Sequence, residues 1–426
     1  MANQQDLKAM LTSGALDERL RRVYVTDSEV EAQYARYAAV IDAFSELFSG
    51  ERDIRLFSAP GRTEVGGNHT DHNHGRVLAA GINLDAIAAA AKNDDNVVRV
   101  KSEGYPMDVV DLSDLSVQPS ELGHSPALVR GVCQGFLNYG YKIGGFDAAT
   151  ASRVLSGSGL SSSAAFEVLL GTILNHLFND GKVSDVEIAQ IAQAAENKFF
   201  GKPCGLLDQM TSSVGSFVEI DFTDPANPVI EKLDFDFASC GYALCIVDTG
   251  GSHSDLTDEY AAVRKEMESV AEYLGKSVLR EVDEDEFMKN IADIRSSCGD
   301  RAVLRAMHFY GDNARVEKQA AALKAGDFET FKKYIIESGR SSYMYNQNVY
   351  SCKKVSEQPV SLALSLSEKL LDGCGAWRVH GGGFAGTIQA FVPLNKLDEY
   401  KDLMEKVFGS GSCYILSVRP VGGVEL

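Results

Sequence analysis

A run of small residues, Gly157 to Ala164, constrains the fold of this chain more than any other segment. The run reads GSGLSSSA. It follows the strand-like DAATASRVL at 147–155 and leads into AAFEVLLGTILNHLF, which predicts a buried helix through about residue 178. Small residues let a ligand approach the main chain, and the amides and dipole of a helix start attract an anion. The run therefore predicts a phosphate site at a strand-to-helix turn.

This run differs from the two common phosphate-binding motifs. No lysine follows the second glycine as in a Walker A loop, and the spacing is not that of a Rossmann G-x-G-x-x-G. A flexible turn with a serine cap is the alternative interpretation, and the run alone leaves it open.

The order of predicted elements indicates an α+β protein. Strand-like segments at 54–60, 77–92 and 97–111 indicate an antiparallel sheet, followed by helices at about 126–139, 164–178 and 186–200. Three strand-like segments fill 216–250, and mainly helical patterns follow. We therefore predict two packed halves, residues 1–215 and 216–426.

Composition excludes several classes of protein. The chain has 426 residues, 45% of them hydrophobic, and a net charge of −19, which argues against disorder and against nucleic-acid or anionic-membrane partners. No secretory signal or membrane-spanning run is found. The eight cysteines are scattered without a C-x-x-C pair, which is typical of buried thiols in a reducing compartment. We expect a cytoplasmic protein.

A second polar cluster, GRTEVGGNHTDHNH, spans residues 61–74. Its histidines and aspartate favour two hypotheses. One is a metal site of a metallohydrolase, with ligands from His69, Asp71, His72 and His74. The other is a loop that hydrogen-bonds a hydroxyl-rich small molecule, which fits better because no partner carboxylate or histidine pair follows downstream.

The third cluster is HGGGFAG at 380–386, where three consecutive glycines precede a predicted strand. Such a run indicates close approach to a ligand or to another loop, and a plain turn is an equal alternative for this cluster alone.

Taken in order, the three clusters resemble the motifs of the GHMP small-molecule kinases, and the first is similar to the galactokinase signature G-R-V-N-L-I-G-E-H-T-D-Y-N. The resemblance extends to ENKFFGKPCGLLDQM at 196–210 and HSDLTDEYAAVRKEM at 253–267. It implies a two-lobed GHMP kinase fold. The N-terminal lobe is expected to be like ribosomal protein S5 domain 2, the C-terminal lobe to be ferredoxin-like, and the active site to lie in the cleft between them.

The resemblance also implies an ATP-dependent sugar 1-kinase, acting as a monomer on small molecules. ATP phosphates would be bound by the backbone of Gly157, Ser158, Gly159, Leu160, Ser161, Ser162 and Ser163, with Gly382 and Gly383 closing over them. Ser163 and Glu196 match the family's Mg²⁺ ligands, which are hard oxygen donors.

The remaining matches concern the sugar and the reacting hydroxyl. Asp208 matches the carboxylate facing the anomeric hydroxyl, as a general base or an electrostatic anchor, and Arg62 matches its cationic neighbour. Positions that contact the sugar in the family are matched by Asn68, His69, Asp71, Gly205 and Tyr260.

Substitutions inside the signature leave the sugar open. Asn68 stands where the family has a glutamate that meets the C6 hydroxyl, Glu64 replaces an asparagine, and His72 replaces a tyrosine. Because asparagine can donate a hydrogen bond to a C6 carboxylate, galacturonate is the leading alternative to galactose, followed by N-acetylgalactosamine. Leu128 replaces an aromatic residue near the adenine, which leaves the nucleotide preference open. A catalytically silent sugar sensor on the same fold is the alternative from another class.

Overall fold

The computed structural model describes residues 3–50, 52–154, 159–251, 256–353 and 355–426. They form two compact units. The first comprises Met1–Arg62, Gly81–Ser216 and Arg419–Leu426, and the second comprises Thr63–Ala80 and Phe217–Val418. The units differ from the predicted halves at 63–80, which joins the second unit, and at 419–426, which joins the first. The boundaries of the two lobes that the resemblance implies, 1–215 and 216–426, stay a prediction.

The described helices and strands follow one another in blocks, beginning with three helices and four strands. The α-helices are α1 (Gln4–Thr12), α2 (Asp17–Tyr24), α3 (Asp27–Leu47), α4 (Ser125–Asn138), α5 (Ser162–Phe178), α6 (Asp185–Ala195), α7 (Leu207–Val214), α8 (Thr257–Tyr273), α9 (Glu284–Lys289), α10 (Ile291–Cys298), α11 (Asp300–Lys324), α12 (Phe328–Ser341), α13 (Pro359–Leu371) and α14 (Leu397–Phe408). The strands are β1 (Arg55–Gly66), β2 (Arg76–Lys92), β3 (Val97–Ser102), β4 (Met107–Asp111), β5 (Phe146–Ser152), β6 (Phe217–Asp221), β7 (Val229–Leu233), β8 (Tyr242–Asp248), β9 (Ala376–Val379), β10 (Thr387–Pro393), β11 (Cys413–Leu416) and β12 (Val424–Glu425).

The sheet of the first unit has the strand order β12-β1-β2-β5-β3-β4. β2 and β5 pair antiparallel, whereas β3 and β5 pair in parallel. The difference has a topological reason. β3 and β4 form an antiparallel pair, and the chain returns to β5 through a crossover that contains α4, which is how parallel neighbours are joined.

One face of this sheet is covered by α1–α3. Ile87, Ala89 and Ala149 from β2 and β5 belong to the same buried cluster as Leu20 and Phe44 from the helices. Alternation along β2 turns Ala88 and Ala90, which are also fully buried, toward the opposite face. Alanines at these positions let the covering layers come close to the strands. Burial of this kind stabilises by roughly 25 cal/mol per Å² of apolar area.

The loop that ends at α5 is supported by the first unit. The backbone N–H of Arg62 on β1 donates to the Leu160 carbonyl at 3.0 Å. A Cβ on Gly61 would lie 2.8 Å from that same carbonyl, which is closer than side chains tolerate. Glycine at this point of β1 therefore allows the strand to hold the loop.

The second unit contains an antiparallel sheet in the order β11-β8-β10-β9. On one face, Cys245 and Val247 from β8 pack with Val360 and Leu371 of α13 and with Tyr400 of α14. A short additional ladder joins the start of β2 to β6, in register from Arg76↔Asp221 to Ala80↔Phe217. No helix in the part of the chain that the structure describes combines the length and apolarity needed to cross a bilayer.

Candidate active site

The first unit brings the two predicted catalytic residues into direct contact. Arg62 lies on β1, and Asp208 lies in the first turn of α7, where the helix dipole favours a carboxylate. The Nε of Arg62 donates to Oδ1 of Asp208 at 2.6 Å, and the side chains are only 14% and 33% exposed. The pair is thus a partly buried ion pair with one face open to solvent.

Asp208 is held as a carboxylate. Burial would raise the pKa of this group, but the charge and hydrogen bond of Arg62 outweigh burial, assisted by a hydrogen bond from Ser161, so that the pKa is lowered from its ordinary value. Ser161 has a left-handed backbone (φ 59°) and does not cap α5 with its side chain. Its hydroxyl donates to Oδ2 of Asp208 instead.

The glycine-serine loop is tied to the same pair. The guanidinium of Arg62 donates to the main-chain carbonyl of Gly159, and Leu160 is fully buried. Because the Ser161 side chain bonds Asp208 and does not cap α5, it does not compete with an anion at the start of this helix. Gly157 and Ser158, also predicted to bind phosphate, lie outside the described residues. Gly205 lies exposed in the segment before α7.

The two predicted Mg²⁺ ligands lie next to each other. Oγ of Ser163 lies 3.2 Å from Oε1 of Glu196, which is only 2% exposed and begins a π-helical turn, Glu196–Phe200, after α6. The ammonium group of Lys202 lies 2.8 Å from the same carboxylate oxygen. Adjacent hydroxyl and carboxylate oxygens that already attract a cation fit Mg²⁺, which takes few protein ligands and several from phosphate and water.

Two buried residues behind this pair were missed in the sequence analysis. Nε2 of Gln209 bridges two carboxylates, at 2.7 Å from Glu196 and 3.0 Å from Glu167. Burial, reinforced by the negative charge of Glu196, raises the pKa of Glu167 well above its ordinary value. The sequence carried a signal for Glu167, since it follows Ser163 by one helical turn and faces the same side of α5.

In the second unit, Asn68 is completely buried and its amide group is fully used. Nδ2 donates to the Gly381 carbonyl at 2.8 Å and to Oε1 of Glu64 at 3.1 Å. Oδ1 accepts from Asn348 at 2.8 Å and from Ser342 at 3.2 Å. Two donors and two acceptor positions are all that an asparagine side chain has. The contact of Asn68 with a sugar C6 group stays a prediction, and such a contact would have to replace one of these bonds.

Helix α11 fixes the backbone of Asn68 as well. The Asn68 N–H donates to Oδ2 of Asp312 at 2.8 Å, and Nε2 of His308 donates to the Asn68 carbonyl at 2.8 Å. Burial lowers the pKa of His308 to about 4, although the neighbouring Asp312 acts in the opposite direction. A neutral imidazole thus supports the signature from behind, a role that sequence reasoning missed.

The third glycine run is bonded to other predicted sugar residues of the second unit. Nε2 of His69 donates to the Gly382 carbonyl at 3.0 Å, and the Tyr260 hydroxyl donates to the Gly383 carbonyl at 2.6 Å. A Cβ on Gly382 would lie 2.6 Å from the Tyr260 ring, so that only glycine fits there. Asp71 begins a short 3₁₀ turn, Asp71–Asn73, and is half-buried.

The structure does not support the hypothesis of a metal site in the cluster at 61–74. Among the described residues, no group of three or more histidine, cysteine, aspartate or glutamate side chains is arranged to hold a metal ion. His72 is buried, and burial lowers its pKa well below the ordinary value, with the nearby positive charge that His69 would carry adding to the effect. These side chains pack within the second unit instead.

Comparison with known families matches two segments of the chain. Residues 42–92 match the galactokinase galactose-binding signature, and residues 127–216 match the N-terminal domain of the GHMP kinases. The first segment contains the cluster at 61–74, and the second contains the glycine-serine loop, Glu196 and Asp208.

Similar proteins extend the match over most of the chain. A galactokinase of Streptomyces coelicolor is 31% identical over 372 residues, which cover 87% of this chain and 92% of the relative. A galactokinase of Actinobacillus pleuropneumoniae serotype 5b is 32% identical over a region that covers 85% of this chain and 91% of the relative.

Solved structures share the fold. A Lactococcus lactis galactokinase, solved in complex with galactose, has a TM-score of 0.75 at 24% identity and covers 92% of this chain and all of its own. A Methanococcus jannaschii mevalonate kinase has a TM-score of 0.60 at 14% identity, over 85% of this chain and 98% of its own. The predicted GHMP kinase fold is confirmed.

The fold and the matched domain define the class as GHMP kinases, enzymes that transfer a phosphoryl group. Within that class, this chain belongs to the galactokinase family. Membership makes it a phosphotransferase and implies ATP as its co-substrate.

Proposed function

We propose that this protein is an ATP-dependent galactose 1-kinase that produces α-galactose 1-phosphate. The observation that carries the proposal is the Arg62–Asp208 ion pair beside the glycine-serine loop. Support for galactose as the sugar comes from the matched galactose-binding signature and from relatives named as galactokinases.

In the proposed reaction, Asp208 accepts a hydrogen bond from the anomeric hydroxyl and attracts its proton. The new P–O bond forms between the sugar oxygen and the γ-phosphorus of ATP as the bond from that phosphorus to the bridging oxygen breaks, and ADP leaves. Arg62 keeps Asp208 ionised and offsets charge on the transferring phosphoryl group. A low pKa makes Asp208 a weak base, so its main contribution is to orient the hydroxyl oxygen and stabilise its developing positive charge. The amides at the start of α5 bind the phosphate oxygens.

Mg²⁺ would be held by Ser163 and Glu196, where it would supply charge neutralisation on the β- and γ-phosphates. Lys202 contacts the same oxygen of Glu196 at 2.8 Å, so this oxygen is already placed to bind a cation. Gln209, which also bonds Glu167, holds the Glu196 carboxylate in place from the buried side.

The test is ADP release from purified protein with ATP, Mg²⁺ and a panel of galactose, galacturonate, N-acetylgalactosamine, glucose and arabinose. We expect galactose to give the highest kcat/KM. If galacturonate gives the highest kcat/KM instead, the sugar substrate of this kinase is a hexuronate and not galactose. Binding of sugar and ATP without ADP release would identify a sensor instead of an enzyme.

A further inference from the structure

Glu64 lies in the cluster at 61–74, and the proposed function gives this residue no role. It lies on β1 between Thr63 and Val65, which are fully buried, whereas Glu64 itself is half-buried with its side chain 16% exposed. Alternation along the strand thus sends Glu64 to a different face from the two core residues. A carboxylate at such a position is costly unless its surroundings are built for it.

Only one of the two Glu64 carboxylate oxygens, Oε1, receives hydrogen bonds from the described residues. Nη2 of Arg378, a residue with no exposed surface, donates to Oε1 of Glu64 at 2.7 Å, and Nδ2 of Asn68 donates to the same oxygen at 3.1 Å. Within the described ranges, Oε2 has no hydrogen-bond partner. Arg378 forms an ion pair with Glu64 through Oε1, and the second carboxylate oxygen remains able to accept hydrogen bonds.

Neighbouring contacts place Glu64 among the groups proposed to bind sugar. Asn68 links Glu64 to the Gly381 carbonyl, and the next residue along the chain, His69, bonds the Gly382 carbonyl. The Asn68 amide has no hydrogen-bonding position left over, because protein groups occupy all four. Glu64, by contrast, has a carboxylate oxygen without a hydrogen bond from the described residues.

We propose that Glu64 is a specificity-determining residue, whose free oxygen accepts a hydrogen bond from a hydroxyl of the bound sugar and excludes acidic sugars. This inference rests on the proposed sugar kinase function. An ionised carboxylate accepts hydrogen bonds and cannot donate them, so it pairs with a neutral hydroxyl and repels a substrate carboxylate. A hexuronate is thus disfavoured even though position 68 carries a neutral amide.

The experiment combines one substitution with a set of modified substrates. The kcat/KM of the wild type and of Glu64→Gln is measured for galactose, for its 2-, 3-, 4- and 6-deoxy analogues, and for galacturonate. If Glu64 binds one hydroxyl, Glu64→Gln lowers kcat/KM for galactose roughly 10- to 100-fold, as expected for loss of a hydrogen bond to a charged acceptor. The analogue that lacks this hydroxyl shows no such loss, and galacturonate gains relative to galactose.

The selectivity between two sugars is taken from one preparation, so partial unfolding of a variant does not change it. Glu64→Asp, which keeps the charge but withdraws the oxygens, is a second variant in case loss of the Arg378 partner prevents folding. Glu231→Gln, which removes an exposed partner of Lys324, is the matched control and should leave selectivity unchanged.

An equal loss on every sugar would contradict the inference and show Glu64 to be merely structural, as would a wild type that prefers galacturonate. Calorimetric titration with the same sugars repeats the comparison as dissociation constants. If the wild type releases no ADP but binds galactose, the proposed enzyme function fails, and the binding comparison still decides the part played by Glu64.

Discussion

Arg62 and Asp208 form a 2.6 Å ion pair in which Nε of the guanidinium donates to one carboxylate oxygen, while Ser161 donates to the other. Arg62 also bonds the Gly159 carbonyl. One arginine thus orients the carboxylate proposed to meet the sugar hydroxyl and restrains the loop proposed to bind phosphate.

Replacing Asp208 by asparagine should lower kcat by about 10²- to 10⁴-fold, because the isosteric amide removes the negative charge and the proton acceptor. Steady-state ADP release measures the effect, and circular dichroism checks folding. Ser161→Ala removes only one hydrogen bond to the same carboxylate, so we expect a loss of about tenfold or less. Full activity of Asp208→Asn would exclude the proposed role.

Glu196→Gln should raise the Mg²⁺ concentration needed for half-maximal activity by about tenfold or more, because a neutral amide binds a hard cation less well than a carboxylate does. Ser163→Ala should act in the same direction with a smaller effect. The exposed Glu46→Gln on α3 serves as the control. An unchanged Mg²⁺ requirement in Glu196→Gln would remove this residue from the metal site.

Asn68→Ala should destabilise the fold by about 3 kcal/mol, because it leaves several buried partners of the amide without hydrogen bonds. Urea unfolding measures this loss. Asn227→Ala, at an exposed turn, is the comparison and should cost less than about 1 kcal/mol. Wild-type stability in Asn68→Ala, together with weaker sugar binding, would support the sequence-based assignment of Asn68 as a sugar contact.

His308 should make stability depend on pH. Its pKa in the folded protein is about 4, against an ordinary value of 6.5, so between these values the unfolded chain binds a proton that the folded protein does not. The free energy of unfolding should therefore fall as pH is lowered from about 6.5 to about 4, by about 3 kcal/mol from this residue.

The measurement is denaturant unfolding at several pH values, for the wild type and for His308→Gln. The glutamine amide can still donate to the Asn68 carbonyl, but it does not titrate. The difference in pH slope between the two proteins isolates His308 from other titrating groups. Parallel slopes would mean that His308 is not held neutral by burial.

Local features of this fold were predictable from sequence because their signals lie within a few residues. The helix after the serine run was expected through residue 178 and ends at Phe178. Ser184 forms a capping box with Glu187 at the start of α6, and a serine followed three residues later by glutamate is a short-range signal for such a start. The expected helix to about residue 200 gives way at Glu196 to a π-helical turn, where the site needs a carboxylate.

Contacts between distant residues were not predictable in this way. Three of the four partners of the Asn68 side chain lie more than 270 residues away in sequence, at Ser342, Asn348 and Gly381. A sequence pattern shows which residue type changed at position 68, but it does not show that these distant groups, together with Glu64, would use all four of its hydrogen bonds. The helices α1–α3 were also missed, because their polar residues obscured the apolar positions that pack on the sheet.

The central claim is transfer of a phosphoryl group to the anomeric hydroxyl of galactose. It is tested most directly by ³¹P nuclear magnetic resonance of the protein with ATP, Mg²⁺ and galactose. We predict a sugar phosphate whose phosphorus couples to the anomeric proton of an α-pyranose, formed by the wild type and not by Asp208→Asn. Phosphate on another hydroxyl, or ATP left intact with galactose and every other sugar of the panel, would contradict the claim.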